Sequence, residues 1–102
     1  MATHTARVSG DTYVVALSGE IDMSNSDELE GWLREAVSAS GRRRIVVDLS
    51  ALEFLDSFGI RALLRGKEHA DAHEAVFTVT NPNGLVERIL RTLGLFEHLT
   101  HP

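Results

Sequence analysis

The spacing of apolar residues changes several times along the chain, and each change marks the edge of an element. Arg7-Val8-Ser9 and residues 12–18 flank Gly10-Asp11, a pair suited to the positive φ of a tight turn, so the chain is expected to open with a β-hairpin. Gly19-Glu20-Ile21-Asp22 ends the second strand, and residues 23–28 are rich in capping side chains and first-turn acids. Leu29, Trp32, Leu33, Ala36 and Val37 then recur at helical spacing, and Gly41 follows as a left-handed stop. Ile45, Val46, Val47 and Leu49 form a short β-branched run that predicts a strand buried on both faces. From Ile60 the spacing is again helical, through Leu63 and Leu64, so a loop is expected between that strand and a second helix.

Residues 74–80 alternate and predict another strand, and Asn81-Pro82-Asn83-Gly84 predicts a turn whose proline opens the next helix. Leu85, Val86, Ile89, Leu90 and Leu93 give that helix one apolar stripe, and Gly94 ends it. Leu95-Phe96-Glu97-His98-Leu99 fits either a short strand or a docked tail. The order is ββαβαβα. It predicts one α/β domain over residues 1–102: a hairpin, then right-handed βαβαβα crossovers, with a mixed sheet and the helices largely on one side.

Composition narrows the function classes. Among 102 residues, 43% are hydrophobic, enough for a single core and too few for two. No stretch approaches the ~20 apolar residues of a membrane span, and the first residues lack a signal-peptide pattern, so a cytoplasmic protein without membrane contact is expected. Cysteine is absent, which removes disulfides, thiol nucleophiles and thiolate metal sites. The net charge of −5 disfavours nucleic acid as a direct partner. Arg42-Arg43-Arg44, the one basic run, reads as a solvated loop near a helix C-terminus.

The chemistry-bearing residues converge on one segment. Asp56 and Ser57 both qualify as N-cap of the helix that holds Ile60, and the backbone donors of that first turn would also receive a phosphate. Ser57 therefore reads as a plain cap or as a phosphorylation switch. It lacks the first glycine of a Gly-x-Ser-x-Gly nucleophile elbow, and no histidine is placed to act as its base. His69 and His73 have i, i+4 metal spacing without the glutamate of His-Glu-x-x-His, and they read as solvated side chains. No phosphate loop or dinucleotide turn is present, so no cofactor and no metal are expected. Asp48, inside the buried strand, reads as a structural carboxylate accepting from loop amides.

With these residues in place, the chain resembles the STAS domains, and among them the free-standing anti-sigma factor antagonists of bacterial partner switching. The resemblance runs through residues 14–22, 45–50 and 54–60, and through Leu93-Gly94-Leu95-Phe96. It implies a protein that is not an enzyme. Its serine, here Ser57, is phosphorylated by an anti-sigma factor that is itself a serine kinase, and a phosphatase reverses the modification. The unmodified antagonist binds that anti-sigma factor and releases a sigma factor. The resemblance further implies Asp22 and Asp56 as an acidic rim around the serine, and with Phe58, Gly59 and Arg61 of the first helical turn these are the expected partner-binding residues. Phe58 is expected as an anchor, because an aromatic side chain turned away from the stripe of Ile60, Leu63 and Leu64 has little else to pack on. The alternative is a non-phosphorylated STAS scaffold subunit in a stressosome-type or lipid-transport assembly. Phe58 and Arg61 stand where the family usually has small residues.

Overall fold

Strand β3, Arg44–Leu55, is the spine of the domain. The structure is a computed structural model that describes residues Met1–Pro102. On one side β3 pairs in parallel with β2 (Thr12–Ile21), which pairs antiparallel with β1 (Ala2–Ser9); on the other it pairs in parallel with β4 (Phe77–Thr80). The sheet is mixed and four-stranded, in the order β1-β2-β3-β4.

Strand periodicity sorts this sheet into two unlike faces. Register aligns Val15 with Val47 and Val47 with Val79, and these three, with Leu17, Ile45, Leu49 and Phe77, are buried in the core. Helices α1 (Ser26–Ala39), α2 (Ser57–Ala72), α3 (Gly84–Thr92) and α4 (Phe96–Thr100) bring Leu29, Leu33, Leu63, Val86, Leu90 and Leu99 to the same cluster. The opposite face carries Val14, Val46 and Thr78 in one row and Ala16, Asp48 and Thr80 in the next. Val46 and Asp48 are only half-buried, so β3 is covered by helices on one face and not on both as its apolar run suggested. The one-sided arrangement of helices follows.

Five elements differ from the sequence expectation. The hairpin is longer, with β1 beginning at Ala2 and Gly10 at φ 62° in the turn. β3 continues to Leu55 where a loop was expected. Between Ala16 and Ser18 on β2 the partner advances from Asp48 to Ala51, and between Gly19 and Glu20 from Leu52 to Phe54, so β3 twice carries an extra residue. Each bulge resets which face the next residue meets, and Leu52 and Leu55 return to the core. β4 is short and α3 starts at Gly84, not at Pro82. Asn83 instead donates its side-chain amide to the Ser50 carbonyl at 2.7 Å, tying the turn to the bulged part of β3. The C-terminal segment is neither a strand nor an unstructured tail: it forms α4, with Leu99 fully buried and the Arg91 guanidinium 3.7 Å from the Phe96 ring centre.

Two details follow from electrostatics. Arg42, Arg43 and Arg44 are exposed just beyond the C-terminus of α1, whose own last turn has no basic residue, and Arg43 Nε donates to the Gly10 carbonyl at 3.3 Å. Asp48 accepts from the Ser50 N–H at 3.0 Å and from the Asn81 amide at 3.2 Å, as its reading as a structural carboxylate requires. Burial opposes its ionisation, but the Ser50 and Asn81 donors and the charge of Arg7 outweigh that and hold its carboxyl below the ordinary value.

Close packing of α1 on α2 yields a prediction with two signs. A Cβ built on Gly66 would fall 2.6 Å from Leu33 Cδ1, whereas one on Gly31 meets nothing within 4 Å. Gly66→Ala should therefore lower the unfolding free energy by ~1–3 kcal/mol through overpacking. Gly31→Ala, in the exposed middle of α1, should raise it by ~0.5–1 kcal/mol. Urea denaturation of both variants checks the pair, and equal effects would show that α1 and α2 are not in this contact.

Asp48 predicts the acid limb of stability. Its folded pKa lies below the ordinary 3.8, so the stability that its charge contributes is fully present above that value and is lost as pH falls through the lower folded value. Asp48→Asn should be less stable than the parent at neutral pH, and the gap should close as the solution is acidified past that range. Denaturant midpoints measured across the acid limb will show whether the two curves converge.

Candidate functional site

Because β2 and β3 run parallel, their C-terminal ends and the helix starts that follow them gather at one end of the sheet. Ile21 pairs with Leu55, and the Asp56 N–H donates to the Ile21 carbonyl at 3.1 Å. Asp22 and Asp56 thus leave neighbouring strands side by side. The turn after β2 is held from within. Asn25 is 7% exposed, donates to the Glu20 carbonyl at 2.9 Å and accepts from the Asp22 N–H at 2.9 Å. The Asp22 carboxylate accepts from the Ser24 hydroxyl and, at 2.8 Å, from the Ser24 N–H. The hydroxyl first and the backbone donor second hold the Asp22 carboxyl below its ordinary range, so it is a fixed negative charge at neutral pH.

Asp56 is the N-cap of α2. Its backbone is extended, and its Oδ1 accepts from the Phe58 N–H at 2.9 Å and from the Gly59 N–H at 3.1 Å. This settles the choice between two caps that the sequence left open. Ser57 becomes the first helical residue, exposed, and its hydroxyl makes no hydrogen bond within the domain. The same geometry corrects one expectation. Two first-turn donors are already taken by Asp56, so a phosphate on Ser57 would meet the positive end of the helix and its own N–H rather than the full set of free donors.

The remaining site residues divide by direction. Phe58 is 42% exposed and points out of the core. Arg61, one turn on from Ser57, is exposed and has no acidic partner within ion-pair distance. Gly59 is buried: a Cβ there would lie 2.7 Å from Ile21 Cγ2 and closer still to Leu55 Cδ1, so this residue lets α2 start against the strand ends instead of lining the surface. Three nearby residues had no part in the sequence reading of the surface. Ser24 and Asn25 lock the Asp22 turn, and the Asp-x-Ser spacing is the signal that would have found the first. Met23, 70% exposed beside Asp22, shows as an apolar residue in an otherwise polar turn.

The histidine pair lies elsewhere. His69 and His73 sit at the C-terminal end of α2 with ring centres 4.4 Å apart, and His73 Nδ1 is 2.9 Å from the His69 carbonyl oxygen. No group of three His, Cys, Asp or Glu side chains converges to hold a metal, and no helix is long and apolar enough to cross a membrane.

The chain is similar in sequence and fold to several known proteins. An anti-sigma F factor antagonist of Paenibacillus polymyxa is 32% identical over 84 residues, covering 82% of this chain and 72% of the relative. The anti-sigma-F factor antagonist RsfB of Mycobacterium tuberculosis is 33% identical over 82 residues, covering 80% of this chain and 66% of the relative. The crystal structure of an anti-sigma factor antagonist from Mycobacterium paratuberculosis superposes with a TM-score of 0.84 at 29% identity, over 99% of this chain and 84% of that one. SpoIIAA in its unphosphorylated form shares the fold, with a TM-score of 0.75 at 22% identity over 92% of this chain and 83% of that one. The STAS domain family matches residues 3–101, and the chain belongs to it.

Proposed function

We propose that this chain is an anti-sigma factor antagonist that acts by binding and without catalysis, in the cytoplasm, and that phosphorylation of Ser57 controls it. The observation that carries the reading is the division of labour at the start of α2. Asp56 caps the helix, so Ser57 is exposed and free of structural work, as a residue must be if a kinase is to modify it without unfolding the domain. Around it, Asp22 and Asp56 supply negative charge, Phe58 an exposed aromatic ring, and Arg61 an unpaired cation. The partner is an anti-sigma factor with serine kinase activity, and a phosphatase restores the serine. Phe58 is the anchor for that partner, because an exposed aromatic has large area to bury and little entropy to lose. Gly59 contributes from beneath the surface, by letting α2 approach Ile21 and Leu55.

Stability separates the two residues at the helix start. Asp56→Ala removes the acceptor for two N–H groups and should cost ~0.5–2 kcal/mol. Ser57→Ala should change stability by less than ~0.5 kcal/mol. Chemical denaturation of both variants tests this, and a large loss for Ser57→Ala would mean that the serine has a structural role and the switch reading is wrong.

Binding separates the two states of Ser57. Calorimetric titration with the kinase anti-sigma factor of the source cell should give comparable affinity for the unmodified protein and Ser57→Ala. Phe58→Ala should bind ~10–100-fold more weakly, equivalent to ~1–3 kcal/mol, with its melting temperature nearly unchanged. Phosphoprotein should bind at least ~10-fold more weakly than the unmodified form, again with little change in melting. Arg61→Ala should remove any small stabilisation that the phosphate gains from this cation. Equal affinity for both forms of Ser57, or no phosphate accepted there, would leave the scaffold role as the better reading.

A further inference from the structure

The two edges of the sheet are protected very differently. β4 is four residues long, and α4 packs against it. β1 is eight residues long and pairs only with β2. Its ladder is unbroken from Ala2–Gly19 to Ser9–Thr12, with no bulge. It contains no proline, lysine or acidic residue, and Arg7 is its one fixed charge. Natural sheets usually guard an edge of this length with one of those devices, and this one has almost none.

The ladder also fixes which backbone groups point outward. Ser9 and Thr12 flank a two-residue turn and share a hydrogen-bonded pair, and at the far end Glu20 N–H donates to the Met1 carbonyl at 3.1 Å. Antiparallel pairs alternate between bonded and non-bonded. Thr3, Thr5, Arg7 and Ser9 therefore direct their backbone groups to β2, while Ala2, His4, Ala6 and Val8 present theirs to solvent.

We propose that this edge pairs with the same edge of a second copy of the chain, antiparallel about a two-fold axis at Thr5. In that register the outward-facing residues meet each other, His4 with Ala6 and Ala2 with Val8, so every exposed donor and acceptor between Ala2 and Val8 finds a partner. Thr5 meets Thr5 and Arg7 meets Thr3, which puts no like charges opposite one another. The net charge of −5 is not presented here, since β1 has no acid. Val8, 53% exposed, gains an apolar neighbour. His4 stacks on Trp32 of α1 with ring centres 4.2 Å apart, so the helix side of the joint has a fixed aromatic wall on each copy. The product is a continuous eight-stranded sheet from two four-stranded ones. The axis reverses strand direction, so the two Ser57 ends point oppositely and both stay uncovered.

The chain has no cysteine, which permits a register-specific test. Across the proposed axis the two Thr5 residues form a non-bonded antiparallel pair with Cα atoms ~4.5 Å apart, within disulfide reach. Thr5→Cys should give a linked dimer under mild oxidation, at least ~10-fold faster than Ala6→Cys, whose own partner across the axis is His4. Sedimentation should show the parent protein approaching twice its monomer mass as concentration rises, and the emission of Trp32, the single tryptophan, should shift with it. Ala6→Pro removes an outward N–H and no bond to β2, and should remain monomeric with a near-parental melting temperature. Ala6→Lys provides the same block without touching the backbone. A parent protein that stays monomeric at every concentration, a dimer unaffected by both Ala6 variants, or faster linking through Ala6→Cys would each overturn the proposal. None of these outcomes bears on the Ser57 reading, which is tested separately.

Discussion

The hydrogen bond from the Asp56 N–H to the Ile21 carbonyl is the joint on which the functional end of this domain depends. It is the last rung of the β2–β3 pairing, and it fixes where α2 begins relative to the turn after β2. Asp56 closes the strand with its N–H and opens the helix with its carboxylate, and both roles are possible because its own backbone is extended. A residue without a side-chain acceptor here would leave two helix donors unsatisfied beside a strand end. The buried face of that junction is completed by Gly59 against Leu55 and Ile21, where no side chain fits. Ser57 is thus held in position from both sides while contributing to neither contact.

That separation decides how a charge added at Ser57 would be felt. Two unit charges ~4 Å apart interact by ~1 kcal/mol in water and by ~4 kcal/mol at the effective dielectric of a partly covered surface. In the free domain the neighbouring Asp22 and Asp56 carboxylates are open to solvent on one side, and the positive end of α2 offsets part of their repulsion. Under a partner the water is gone and the same repulsion grows several-fold. A modification that scarcely changes the fold can therefore dominate an interface. Arg61, one turn on from Ser57 and without an acidic partner, would act in the opposite sense by screening the added charge.

How much of this the sequence disclosed varied with how regular each signal was. The hairpin, the two long helices and the parallel strand crossovers followed from spacing, and Asp56 and Ser57 were narrowed to two candidates for one cap. Beyond Leu49 the strand became illegible for a definite reason. Leu49, Leu52 and Leu55 are three apart, which is neither the strand period of two nor a helical pattern, because the two bulges each insert a residue that the period does not count. Two-sided burial was over-read from Val46, which lies on the helix-free face among small neighbours. Pro82 did not open α3, since Asn83 was engaged on β3 and the helix began only after it. Gly59 belonged to the motif, but its inward direction is a tertiary fact: it depends on Ile21, which is 38 positions earlier in the chain.

The helix-free face of the sheet ties these points together. In this domain the helices and the one hydrophobic core lie on a single face of the four-stranded sheet, which leaves the other face to short side chains. The exposed face is therefore built from Thr, Ser, Ala and Val, whose short side chains shield the backbone without forming an apolar patch, and Asp48 is tolerated there because it is bonded to Ser50 and Asn81. Asn83 and Asn81 use their amides to clamp the β4–α3 turn onto β3 at that same level. With the core confined to one side and the turns pinned to β3, the strand ends have little freedom to shift. The Asp22 turn and the α2 start are joined to those strand ends by Asn25, by the Asp56 cap and by the bond from the Asp56 N–H to the Ile21 carbonyl, and this is how so small a domain sets a few surface residues side by side.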